Sequence, residues 1–107
     1  MNLEIRGIHY NVTDTTKEFF DKKLARIDFA KEYIVDLQIN VHKEPHQSYK
    51  IEGKVHFQWG KMKIVHADGY ELYEAIEYFV DKLERIVRKE KEKIKDHGTK
   101  VPEAEII

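Results

Sequence analysis

From residue 35 to residue 41 the chain alternates without a break. Val35, Leu37, Ile39 and Val41 are apolar, and Asp36, Gln38 and Asn40 lie between them. A period of two is that of a β-strand with one packed face and one wet face. The packed face needs neighbouring strands and a covering layer. The pattern returns in Tyr49, Ile51, Val55 and Phe57, with Gly53 inside the run, and again over residues 62–68. In that last run Val65 and Ala67 fall on one side and Met62 and Ile64 on the other, so spacing alone leaves its facing open. Turns at 43–47, containing Pro45, and at 59–61 join the three runs, which predicts an antiparallel meander. Leu3 and Ile5 mark a further strand over residues 2–8.

Two stretches switch to helical spacing. Thr13 is placed to cap a helix, Asp14 suits its positive end, and Thr16, Phe20, Leu24 and Ile27 predict a helix over 14–30. Leu72, Ile76, Phe79, Val80, Leu83, Val87 and Ile94 predict a long amphipathic helix over about 71–96, stopped by Gly98 and Pro102. The order is β-α-β-β-β-α. It predicts an α+β two-layer sandwich, with a four-stranded, antiparallel and half-wet sheet carrying both helices on its apolar face. With 107 residues a single domain is expected, over 1–97, followed by a short flexible tail at 98–107.

Composition removes whole classes of chemistry. There is no cysteine, so disulfide scaffolds, thiolate metal sites and cysteine nucleophiles are excluded. No long apolar run spans a bilayer and no signal-peptide pattern opens the chain, which points to a cytoplasmic protein. Ser48 is the only serine and lacks a GxSxG setting, and the five glycines are isolated rather than grouped in a phosphate loop. The six histidines form no HExxH pattern; His56 and His66 fall on strands that can be neighbours, and the rest are scattered. No catalytic residue, metal site or cofactor is expected, and the chain does not read as an enzyme. Tyr70, Tyr73, Tyr78 and Trp59 have rings that can stack on bases, with Tyr73 and Phe79 better placed for packing and Trp59 for exposure on its turn.

Charge is informative only when divided along the chain. The total is −1, yet residues 68–81 hold five acids and no base, and residues 82–95 hold seven bases against three acids. Projected at 100° per residue from Leu83, Lys82, Arg85, Lys89 and Lys93 fall within about 80° of one another, on an edge with no acid, about 16 Å long. The opposite flank mixes Arg88, Lys91 and Lys95 with Glu84 and Glu92. Lys22, Lys23 and Arg26 form a second basic group on the first helix, and helices lying side by side can merge the two groups. Lys/Glu-rich helices are ordinarily solvated faces held by i,i+4 pairs. Phosphate binding or an acidic protein partner are the functional alternatives, because binding follows local field rather than net charge.

A wider pattern joins these residues. Ala67-Asp68-Gly69, Leu72-Tyr73-Glu74-Ala75-Ile76, Asp81-Lys82-Leu83-Glu84-Arg85 and the lysines at 89, 91, 93 and 95 follow one another in order. Leu3, Ile5, Gly7, Thr13, Glu18-Phe19, Lys23-Leu24-Ala25-Arg26-Ile27 and Lys43-Glu44-Pro45 complete it, so the pattern covers residues 1–95. It resembles the ribosome hibernation promoting factor family, which includes the short hibernation factor and the ribosome-associated inhibitor, protein Y. The resemblance implies the same β-α-β-β-β-α fold. It implies binding to the small ribosomal subunit, in the mRNA and tRNA channel near the decoding region, which inactivates idle ribosomes under stress or in stationary phase. It further implies ribosomal-RNA contacts by Lys22, Lys23, Arg26, Lys82, Arg85, Lys89 and Lys93, without small-molecule substrate, membrane or DNA. Two departures stand out. The near-neutral charge implies a more salt-sensitive hold, and the stretch from 98 to 107 leaves no room for the dimerisation domain of long family members. A general double-stranded RNA-binding module, with α-β-β-β-α order, is the competing reading.

Overall fold

A computed structural model describes residues 1–46 and 48–96. Four strands, β1 (Asn2–Ile8), β2 (Ile34–Lys43), β3 (Tyr49–Phe57) and β4 (Met62–Gly69), form one sheet in the order β1-β2-β3-β4. Helix α1 (Asp14–Leu24) continues into a 3₁₀ segment (Ala25–Tyr33), and α2 (Leu72–Asp96) follows β4. The proposed tail at 98–107, and the Gly98 and Pro102 stop signals, lie outside the described residues.

The sheet is mixed rather than antiparallel. β2, β3 and β4 form the expected meander, but β1 runs parallel to β2, with Leu3 opposite Leu37 and Ile5 opposite Ile39. The helical crossover between β1 and β2 returns the chain in its original direction, so parallel pairing follows from connectivity.

Both helices cover one face. Phe20, Leu24, Ile27 and Ala30 from the first helical stretch meet Phe79, Val80, Leu83 and Val87 from α2 over Leu37, Ile39, Val41, Ile51, Val55 and Phe57. Each large side chain so enclosed contributes roughly 1.5–3 kcal/mol through water exclusion. β4 settles its facing by the same core: Val65 and Ala67 are buried, while Met62 and Ile64 are exposed. Gly53 is required by this packing, because a Cβ there would collide with the ring of Phe79. Gly69 and Ala75 meet where the sheet hands over to α2, and a Cβ on Gly69 would stand 3.1 Å from the Ala75 amide nitrogen.

Three expectations change. The helix over 14–30 is α-helical only to Leu24. Its inward residues Thr16, Phe20 and Leu24 are four apart, whereas Leu24, Ile27, Ala30 and Tyr33 are three apart, the period of a 3₁₀ helix. Val35 is 42% exposed rather than packed, because Ile34 takes the inward position and the register shifts between Ile34 and Asp36. The extra residue of that bulge is displaced outward. Ile94, counted with the apolar face of α2, is exposed. The Thr13 cap forms as expected, its Oγ1 accepting from the Thr16 amide at 3.1 Å.

Candidate nucleic-acid interface

α2 presents two flanks of opposite character, and the sheet and first helix decide what each meets. One flank carries Glu77, Asp81, Glu84, Arg88 and Lys91 and lies against α1 and the 3₁₀ segment. Arg26 inserts here, 2.6 Å from Asp81 and 2.6 Å from Glu84. These hydrogen bonds, Asp81 first, raise the Arg26 pKa above its ordinary value, and Arg88 and then Arg26 lower that of Glu84. Lys23 lies 3.9 Å from Glu77 and 5.4 Å over the Phe19 ring. Arg88 stacks on Phe29 at 4.6 Å, and Lys91 stands over both Phe29 and Tyr33. The cations of this flank are therefore committed within the protein.

The other flank carries Lys82, Arg85, Lys89 and Lys93 and overhangs the free edge of β4. A groove runs between them, lined by Ile64, Val65 and His66 from the strand and by Lys82, Arg85, Ile86 and Lys89 from the helix. Lys82 donates to the His66 carbonyl at 2.9 Å, and Lys93 lies 3.3 Å from Glu90. Arg85 and Lys89 have no ion-pair partner among the described residues. The exposed Arg85 and Lys89 groups give this edge a positive field, tempered at its N-terminal end by Asp68 and Asp81, which share a hollow with Lys82 and Arg85.

The two basic groups thus do not merge as side-by-side helices would allow. Lys23 and Arg26 meet the acidic flank of α2, and the four-residue stripe occupies the flank facing away from them. Lys22 stands apart, in a shallow surface dip with Thr15, Glu18, Phe19 and Tyr73. The signal for this division is present in the chain, since Glu77, Asp81 and Glu84 share one helical edge opposite the stripe.

Sequence spacing also misses a buried ion cluster. Glu90 is 3% exposed and lies 3.1 Å from Lys61, 3.9 Å from Lys63 and 3.3 Å from Lys93. Burial raises its pKa, but the hydrogen bonds from Lys61 and Lys93 prevail and the net shift is downward. This clamp ties α2 to the β3–β4 end of the sheet. Trp59, expected to be exposed, stacks on Phe57 at 4.9 Å. Tyr73 packs edge-on against Phe19 at 4.6 Å, whereas Tyr70 is 81% exposed. His56 and His66 face carboxylates rather than each other, Asp36 at 3.6 Å and Glu52 at 3.0 Å. Among the described residues no three histidine, aspartate or glutamate side chains converge to hold a metal ion, and no helix is long and apolar enough to cross a membrane.

A β-α-β-β-β-α sandwich with a basic groove at one sheet edge defines a class of small α+β proteins with two helices on one sheet face. The comparisons narrow the class. Residues 3–95 match the family described as Sigma 54 modulation protein / S30EA ribosomal protein, and the chain belongs to that family. It is 31% identical over 93 residues to the ribosome hibernation promoting factor of Pseudomonas putida, covering 87% of this chain and 89% of that one. Identity to the ribosome hibernation promoting factor of Escherichia coli K12 is also 31%, over 99 residues, 91% of this chain and all of the relative. The N-terminal domain of Thermus thermophilus Protein Y superposes with a TM-score of 0.73 at 27% identity, covering 83% of this chain and 98% of that one. A ribosomal subunit interface protein from Coxiella burnetii superposes at 0.78 with 22% identity over 86% of this chain and 99% of that one, a likeness of fold.

Proposed function

We propose that this protein is a ribosome hibernation factor that binds the small subunit in the mRNA and tRNA channel near the decoding region, holding idle ribosomes inactive in the cytoplasm under stress or in stationary phase. The observation that carries the reading is the division of cations on α2. Arg88 and Lys91 are engaged with the 3₁₀ segment, whereas Lys82, Arg85 and Lys89 line an open groove and Lys93, on the same edge, is bonded to Glu90. The names of the relatives supply the ribosome as the source of anions. Ribosomal RNA presents phosphates at a density that a stripe about 16 Å long can follow. Lys22 adds a contact from the first helix, and Lys23 adds charge there while it remains beside Glu77. Arg26 adds charge there while its fork remains on Asp81 and Glu84.

Inhibition by occupancy needs no bond to be made or broken. A folded domain seated in the channel excludes mRNA and tRNA by volume, and the lysines and arginines supply affinity. No metal or cofactor takes part. Co-sedimentation tests this: the protein is mixed with purified small subunits at low and at high salt, with free duplex RNA of about 16 base pairs in parallel. Stoichiometric, salt-sensitive pelleting with small subunits and no duplex binding is expected. Equal binding to free duplex identifies a general double-stranded RNA module instead.

A further inference from the structure

The outer edge of β4 is an open strand position beside cations. The Phe57 amide donates to the Lys61 carbonyl at 2.8 Å, which sets the phase of the ladder between β3 and β4. In an antiparallel ladder alternate residues bond to the same neighbour, so Lys63, Val65 and Ala67 bond to β3 while Ile64 and His66 turn both N–H and C=O outward. The His66 carbonyl accordingly accepts from Lys82, at 2.9 Å. Open edges of this kind accept an extended segment by backbone pairing. Apolar side chains border the edge as well: Met62 and Ile64 are exposed on the strand, and Ile86 lines the groove with Arg85 and Lys89. A chain of phosphates uses the cations but leaves the backbone acceptor and the apolar border unused, whereas an extended polypeptide uses all three.

We propose that the β4 edge is a docking site for an extended segment of a partner protein in which acidic residues alternate with apolar ones, added to the sheet as a fifth strand. Charge complementarity selects the acids. Successive side chains of an added strand point to opposite faces, and one set turns to α2, where Arg85 and Lys89 have no ion-pair partner among the described residues. Side chains of that set recur roughly every 7 Å, and Lys82 to Lys89 spans about 10 Å along α2, so two carboxylates meet three cations. The other set lies beside Met62 and Ile64 and is apolar. Asp68 and Asp81 sit at the end of the edge remote from Lys89, which places the carboxylates toward Arg85 and Lys89. An incoming amide takes the His66 carbonyl and frees Lys82 to pair with a carboxylate. A second copy of this chain fits poorly. Its own β4 carries Lys63 on the side facing α2, within 3.9 Å of Glu90, and would bring like charge against the stripe.

The docking itself is independent of RNA. Only its consequence rests on the proposed function: acidic segment and RNA phosphate compete for Arg85 and Lys89, so a partner carrying such a segment releases the protein from the ribosome.

Amide hydrogen exchange on the full chain at low salt tests the docking, with a blocked peptide of alternating valine and glutamate as the probe. In saturating peptide the outward amides of Ile64 and His66 are expected to exchange at least about tenfold more slowly. Val65 and Ala67, bonded to β3, report that the fold is unchanged. The same peptide with its backbone amides methylated, and an Arg85→Gln/Lys89→Gln chain with the unmodified peptide, are both expected to lose the protection. Unchanged exchange at the outward amides overturns the docking, and so does equal protection in either comparison. Protection by single-stranded RNA with none by the peptide assigns the edge to nucleic acid, and protection that grows with protein concentration in the absence of peptide assigns it to a second copy; either overturns the proposal. Protection by the peptide that leaves small-subunit binding undiminished upholds the docking and removes the stripe from the ribosome interface.

Discussion

Gly53 and Glu90 show how single residues constrain the fold. The Phe79 ring lies where the side chain of any other residue at 53 would begin. Gly53→Ala is expected to cost about 1–3 kcal/mol through forced repacking, read as a lower urea midpoint with an unchanged slope. Glu90 is a carboxylate whose folded pKa is depressed despite burial. Its stabilising contribution is complete above the unfolded carboxylate range and is lost as pH falls through the lower folded value. Glu90→Gln is therefore expected to destabilise by about 1–3 kcal/mol at pH 7, with the deficit shrinking as the solution becomes acidic. Urea titrations of both proteins at pH 7 and pH 3 check this; a deficit that is constant with pH means that charge is not what the clamp uses.

At the scale of elements, the strand periods, the Thr13 cap and the second helix are legible in the chain because each is a local property. Val35, Ile27 and the β1 pairing show where locality ends. Val35 belongs to an unbroken alternation, yet Ile34 occupies the packed position because a bulge resets the register, and the bulge has no local signature. The tightening of the first helix after Leu24 is written only in the change of spacing from four to three. Parallel pairing of β1 depends on the crossover rather than on β1 itself. Ile27→Ala and Val35→Ala separate buried from displaced residues. The first is expected to cost about 2–5 kcal/mol and the second no more than about 0.5 kcal/mol, by chemical denaturation. The stripe was legible as a helical edge, but which cations are consumed within the protein depended on where α1 and the 3₁₀ segment lie against α2.

On the scale of the whole molecule, a net charge of −1 conceals a strongly divided surface. The acidic flank of α2 neutralises Arg26 and Lys23 and fastens the two helices, and the basic flank is left over the β4 edge. The family pattern accordingly contains two kinds of residue. Ala67, Gly69, Ala75, Ile76 and Leu83 serve the junction and core, while Lys82, Arg85 and Lys89 face outward. Since binding to an RNA surface follows released counterions, affinity is expected to fall steeply with salt. The decisive measurement is the small-subunit affinity of Lys82→Glu/Arg85→Glu/Lys89→Glu beside a control reversal of Arg88→Glu/Lys91→Glu on the opposite flank, each at two salt concentrations. The stripe variant is expected to lose at least about a hundredfold in affinity and most of its salt dependence, with the control far less affected. Native affinity in the stripe variant, or an equal loss in both, contradicts the assignment of the β4-side edge of α2 as the ribosome-facing surface.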